Sequence, residues 1–183
     1  MRFSGLLYQA GPLTVIPYRL CVHPEAGPLF WYDEQAADAL GPGFRRGDAA
    51  LSQHVPRGAS LSAEACDLAF ELMSQAFTRY FADQVPRVVT CTSWLLDEQL
   101  AEYLPASSNI IGFQRRFEVV PGGRDDAEEI LTHVFGPDRP GDLSQLPEDT
   151  TLQRAVLQHL RAGRNWRVRT GWIALPPSGE PSV

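Results

Sequence analysis

The sequence predicts an α/β (α+β) domain: one central mixed, mostly antiparallel sheet with flanking helices. Three observations carry this. Short segments rich in β-branched and aromatic residues recur along the chain. One long segment repeats apolar residues at three- and four-residue spacing. The two kinds follow each other in the order β-β-β-α-β-α-β, then a helix and a last strand. At 183 residues the chain has the size of one ordinary domain, expected to span 1–183 with a disordered tail over 175–183.

Residues 13–22 (LTVIPYRLCV) read as a strand, with Pro17 placing it near an edge or bulge. The turn HPEAG and the apolar 28–32 suggest its hairpin partner, and 33–48 read as a polar, Gly-rich loop or short turn. Residues 49–55 (AALSQHV) form a third strand, ended by Pro56-Arg57-Gly58. The helix over 62–82 aligns Cys66, Ala69, Phe70, Met73, Phe77 and Tyr80 on one face, with Ser60 or Ser62 as its cap. Residues 87–96 (RVVTCTSWLL) form a strand, and Asp97 caps a short helix through Leu104. Residues 110–120 (IIGFQRRFEVV) alternate from Phe113 onward and read as a further strand. A short helix follows over 126–135. Thr150 and Gln153 make a capping box that opens a helix to about Ala162, and 166–175 is the last strand.

Composition excludes several classes. The net charge of −6 argues against a nucleic-acid partner. All sixteen basic residues are Arg, so any cationic contact to phosphate is a planar, bidentate one. The Lys-free, Ala- and Pro-rich usage fits a GC-rich bacterial source. Cys21, Cys66 and Cys91 are widely spaced, with no metal-ligand or disulfide pattern, so a reducing cytoplasm and no metal are expected. No apolar run approaches the ~20 residues needed to span a bilayer, and no membrane partner is expected.

Four places carry residues suited to chemistry. The first is His54-Val-Pro-Arg57-Gly58-Ala59-Ser60, a strand end and Gly-containing loop delivered onto a helix N-terminus. Such a terminus offers unpaired N–H groups and a favourable dipole to an anion; an ordinary β-to-α turn has the same make-up. The second is the strand end Cys91-Thr92-Ser93-Trp94, where Ser93 and Trp94 are suited to line a pocket. Cys91 has no His placed to activate it and reads as a core thiol. Third, Tyr103 is a candidate proton donor to a leaving thiolate, or else an anchor for its helix. Fourth, the loop Ser107-Ser108-Asn109 precedes the Arg115-Arg116 pair. His23, His133 and His159 show no ligand spacing and stand out in no way.

Taken together, HVPRGASLS, the long helix, VVTCTSWLLDEQLAEYLPASSNIIGFQRRF and LPEDTTLQRAVLQHLRAG resemble the C-terminal domain of GNAT-like bacterial acyltransferases. The likeness runs from about residue 6 to 175, and its most specific block is SWLLD–QL–EYLP–SNI–FQRRF. It implies a GNAT fold that binds acetyl-CoA or another acyl-CoA and passes the acyl group to an amine or other small nucleophile. It implies that Gln53–Val55 line the pantetheine arm and that Arg57, Gly58, Ala59 and Ser60 hold the pyrophosphate. Ser93, Trp94 and Asn109 would line the substrate side, with His54 as base and Tyr103 as acid. It also implies a partner: a helical N-terminal half, separate or truncated from this chain. The RGAS loop is shorter than the family's usual phosphate loop, and Thr92 stands where the family often has His. A catalytically inactive GNAT-like binding module is therefore the alternative.

Overall fold

The computed structural model describes residues 7–20, 47–80 and 85–175. Its strands are β1 (Tyr8–Ala10), β2 (Leu13–Arg19), β3 (Ala49–His54), β4 (Val88–Ser93), β5 (Glu118–Val119), β6 (Arg124–Asp125) and β7 (Arg167–Ala174). Its helices are α1 (Ala63–Tyr80), α2 (Asn109–Gln114), α3 (Ala127–Phe135) and α4 (Thr151–Arg161). The sheet runs β1-β2-β3-β4-β7-β5, with β6 also on β7. Among the described strands, β3–β4 is the one parallel pair, and the others are antiparallel. This is the mixed, mostly antiparallel sheet that the sequence predicts.

Helix α1 buries Cys66, Ala69, Met73 and Phe77, the face that its spacing predicts. Ala69, Met73 and Phe77 pack on Leu13, Val15, Leu51 and Val89 of the sheet. Burying side chains of this size stabilises the fold by about 2 kcal/mol each. A second cluster gathers Trp94, Leu100, Phe113, Ile130, Leu157 and Trp166 beneath the later helices. Val55, Leu61 and Phe70 pack against both clusters.

β2 forms a hairpin with β1, whose three residues are too few to show a period, and the turn between them needs Gly11 at φ 57°. The expected strand at 28–32, most of the loop at 33–48 and most of the tail from 175 onward lie outside the described residues. The expected strand over 110–120 is instead helix α2 followed by the short β5. Ser108 Oγ accepts the Ile110 N–H at 3.3 Å, starting a helix that buries Ile111 and Phe113. The Phe113 and Phe117 rings, four residues apart, lie 5.0 Å apart, and a four-residue spacing serves a helix as well as alternation serves a strand.

The strand over 87–96 likewise ends at Ser93. Its hydroxyl accepts the Leu95 N–H at 3.1 Å and turns 94–96 into a 3-10 turn. Asp97, with no exposed surface, caps the next turn and accepts from Gln99 N at 3.1 Å, Gln99 Nε2 at 3.0 Å and Arg167 N at 2.8 Å. One carboxylate thereby ties the turns after β4 to the start of β7.

Candidate functional site

The rungs joining β3 to β4 end at Gln53 opposite Cys91. Strand β4 continues, but its later residues Thr92 and Ser93 pair with β7. Strand β3 therefore parts from β4, and a cavity of about 520 Å³ opens at the gap. Its walls are the loop 55–61, the turn 93–95, the first residues of α2, His133 and Val134 of α3, and Thr150, Leu152 and Gln153 at the start of α4.

The loop is shaped locally. The Ala59 N–H donates to the Pro56 carbonyl at 3.0 Å, and Gly58 takes φ 78°, the value a type II turn requires at its third position. Ser60 Oγ accepts the Ser62 N–H at 3.4 Å, and Ser62 Oγ accepts the Ala65 N–H at 3.2 Å, so Ser62 caps α1. At the opposite wall Thr150 Oγ accepts the Gln153 N–H at 3.1 Å while the Gln153 side chain accepts the Thr150 N–H at 3.0 Å. The N-terminal ends of α1, α2 and α4 thus border one cavity, and each carries partial positive charge. Arg57 adds a full one, and among the described residues no Asp or Glu lines the walls. In a chain of net charge −6 this is a place of local positive charge.

Val55, Arg57, Gly58, Ala59 and Ser60 all line this cavity, as do Ser93, Trp94 and Asn109. The two residues given catalytic roles do not. Tyr103 Oη lies 3.0 Å from His159 Nδ1, and its ring stands edge-on to that imidazole at 5.6 Å. Its hydroxyl serves the core of the second cluster. His54 follows Gln53 on β3 but faces the other side of the sheet by strand alternation. Burial lowers its imidazole pKa.

The imidazole at the cavity belongs to His133, which the sequence does not single out. His133 Nδ1 lies 2.8 Å from the Glu129 carbonyl, and the ring centre lies 6.3 Å from Trp94. A carbonyl only accepts, so Nδ1 carries the hydrogen and Nε2 is the basic nitrogen of the neutral ring. Nothing in a helix reading connects residue 133 with residues 93–95; only packing does. Cys91 is shut in, with 1% exposure, and burial pushes its thiol pKa up to about 12. That leaves essentially no thiolate near neutral pH and ends its candidacy as a nucleophile.

The family described as the GNAT-like C-terminal domain matches residues 19–173. The chain belongs to this family. Its fold is also that of solved acyltransferases. One, in complex with decanoyl-CoA, is 32% identical with a TM-score of 0.73. The comparison covers 94% of this chain and 47% of that one. An acyltransferase in complex with decanoyl-CoA and teicoplanin is 31% identical at TM-score 0.72, with the same coverage. Another, with CoA and 10C-teicoplanin, is 31% identical at TM-score 0.71, again over 94% of this chain and 47% of that one. The chain thus spans about half the length of these structures. Among curated proteins no relative matches it.

Proposed function

We propose that this GNAT-like domain binds acyl-CoA in the cavity between β3 and β4 and presents the thioester for direct attack by an amine or other small nucleophile. One observation carries the reading: an open cavity at the strand gap, without Asp or Glu among the described residues that line it, bounded by Arg57 and the N-terminal ends of α1, α2 and α4. Pyrophosphate suits the Arg57–Ser60 loop, because exposed N–H groups and a guanidinium fork match its oxygens. The apolar residues Val55, Leu61, Trp94 and Val134 suit a pantetheine arm.

In the proposed step the acceptor nitrogen bonds to the thioester carbon, and the C–S bond then breaks. The amine loses a proton and the CoA thiolate leaves to be protonated in turn. Backbone N–H groups of the parted strand would polarise the carbonyl, and fixing the reactants together would supply much of the rate. His133 replaces His54 as the imidazole offered to a ligand, and Tyr103 drops out as acid. The wall position of Trp94 favours this reading over an inactive module, in which Trp94 would fill the gap. The reduced thiols of Cys66 and Cys91 fit a reducing bacterial cytoplasm.

Calorimetric titration with CoA, acetyl-CoA and decanoyl-CoA tests the binding half. A folded chain that takes up none of them at millimolar ligand sinks the reading. Acyl transfer to teicoplanin or a simple amine, followed by mass spectrometry, tests the rest.

A further inference from the structure

Among the described arginines, Arg57 alone makes no hydrogen bond, ion pair or ring contact. It is exposed, on the loop that walls the cavity. A long, unpaired side chain ordinarily samples many rotamers, and an anion that binds it must first freeze them. Arg57 is nevertheless placed. A Cβ built on Gly136 would lie 3.4 Å from Arg57 Nη1 and 4.0 Å from Nη2. The guanidinium thus lies against Gly136, which is buried and has no side chain to hold it off. The Arg57 side chain runs from the loop at one wall to the end of α3, whose His133 and Val134 form another.

Gly136 is itself held by both of its backbone groups. It ends α3 at φ 100°, where a residue with a Cβ is strained. Its N–H donates to the Thr132 carbonyl at 2.9 Å, and its carbonyl accepts from Arg139 Nη1 at 3.2 Å. The same Nη1 donates to Thr132 Oγ1 at 3.2 Å, while Arg139 Nη2 pairs with Glu128. The surface under Arg57 is therefore fixed before any ligand arrives. It is also the C-terminal end of a helix, where partial negative charge favours a cation.

We infer that Gly136 is a positioning residue: it seats the Arg57 guanidinium against the end of α3, so that an anion entering the cavity meets a cation already in place. Gly136 acts through Arg57 and touches no ligand itself. The inference rests on the reading above, in which Arg57 meets the phosphate end of CoA, and it names the residue that sets that cation.

The test is a double-mutant cycle on the 183-residue chain. Gly136→Ala and Arg57→Ala, alone and together, are titrated calorimetrically with CoA and with pantetheine. Alanine at 136 brings the same backbone strain to both backgrounds, so strain cancels and displacement of the guanidinium does not. With Arg57 present, Gly136→Ala should weaken CoA about fivefold, the cost of freezing one long side chain again. Pantetheine, which carries no phosphate, should bind as before. In the Arg57→Ala background Gly136→Ala should change neither affinity. An equal loss of CoA in both backgrounds, or a loss shared by pantetheine, overturns the inference as a general disturbance of α3. No loss of CoA overturns it too. Full CoA affinity in Arg57→Ala would instead defeat the phosphate reading of the loop, and a parent chain that binds neither ligand would defeat the acyl-CoA reading. The seat is decided separately on the parent chain, which also guards against a variant that does not fold. Nuclear Overhauser contacts should join the Arg57 guanidinium hydrogens to the Gly136 α-hydrogens without ligand and persist with CoA. Their absence, or their loss on adding CoA, overturns the seat.

Discussion

Two polar places in this molecule are equally buried and opposite in character. Around Asp97 and His159 every group is matched. The Asp97 carboxylate accepts three N–H donors, and Gln114 Nε2 donates to the carbonyls of Leu95 and Asp97 at 2.7 and 2.8 Å. His159, with no exposed surface, lies between Tyr103 Oη at 3.0 Å and the Asn165 carbonyl at 3.2 Å, stacked on Trp166 at 4.0 Å. On the last rung before the strands part, neither end of the buried Gln53 amide has a partner among the described residues. A polar group whose partners are internal holds the fold, and that criterion sets Tyr103 in the scaffold.

The comparison can be broken at either place. The largest effect is expected from Asp97→Ala, which strands the Arg167 and Gln99 N–H groups in the interior. It should cost about 3 kcal/mol in urea unfolding. A loss no larger than that of an exposed Asp would show the scaffold to be less dependent on this carboxylate than its contacts imply. Tyr103→Phe should cost about 1 kcal/mol by leaving His159 Nδ1 without its partner, with CoA affinity unchanged. A drop in acyl transfer without a drop in stability would restore Tyr103 to the chemistry. Gly58→Ala places a Cβ at φ 78°, a strain of about 1 kcal/mol. On the proposed reading, in which this turn meets the phosphates, it should lower CoA affinity more than pantetheine affinity.

The smallest effect concerns His54. Burial lowers its pKa below the ordinary 6.5, so the unfolded chain takes up that proton first as acid is added. The stability tied to neutral His54 is fully present above about pH 6.5 and is lost as pH falls toward the folded-state value. His54→Gln should flatten that part of a stability-against-pH curve. An unchanged slope would assign it to other groups.

Much of this was legible beforehand for physical reasons. The face of α1 repeats over five turns, and the capping box at Thr150 and Gln153 is a purely local device. The strand–loop–helix passage through Arg57, Gly58 and Ser60 is local too, so its residues fell together in the cavity. What failed was decided at a distance. Residues 110–120 satisfy a helix and a strand equally, and tertiary contacts from Gln114 to the turn after β4 settled them. His133 reaches Trp94 across 39 positions of sequence, which no periodicity records.

Gly171 has a consequence for how freely this domain can change. It pairs with Cys91 on one side and Val119 on the other. A Cβ built there would lie 2.9 Å from Phe117 Cβ and 3.0 Å from Leu96 Cδ1. Even alanine would have to push Phe117 and Leu96 away from the sheet, and with them the turn whose first residues form a cavity wall. In a library of single substitutions, position 171 should read as a bottleneck with one tolerated residue. Lineages that reshape this cavity would then vary the loops around it while β7 keeps its glycine.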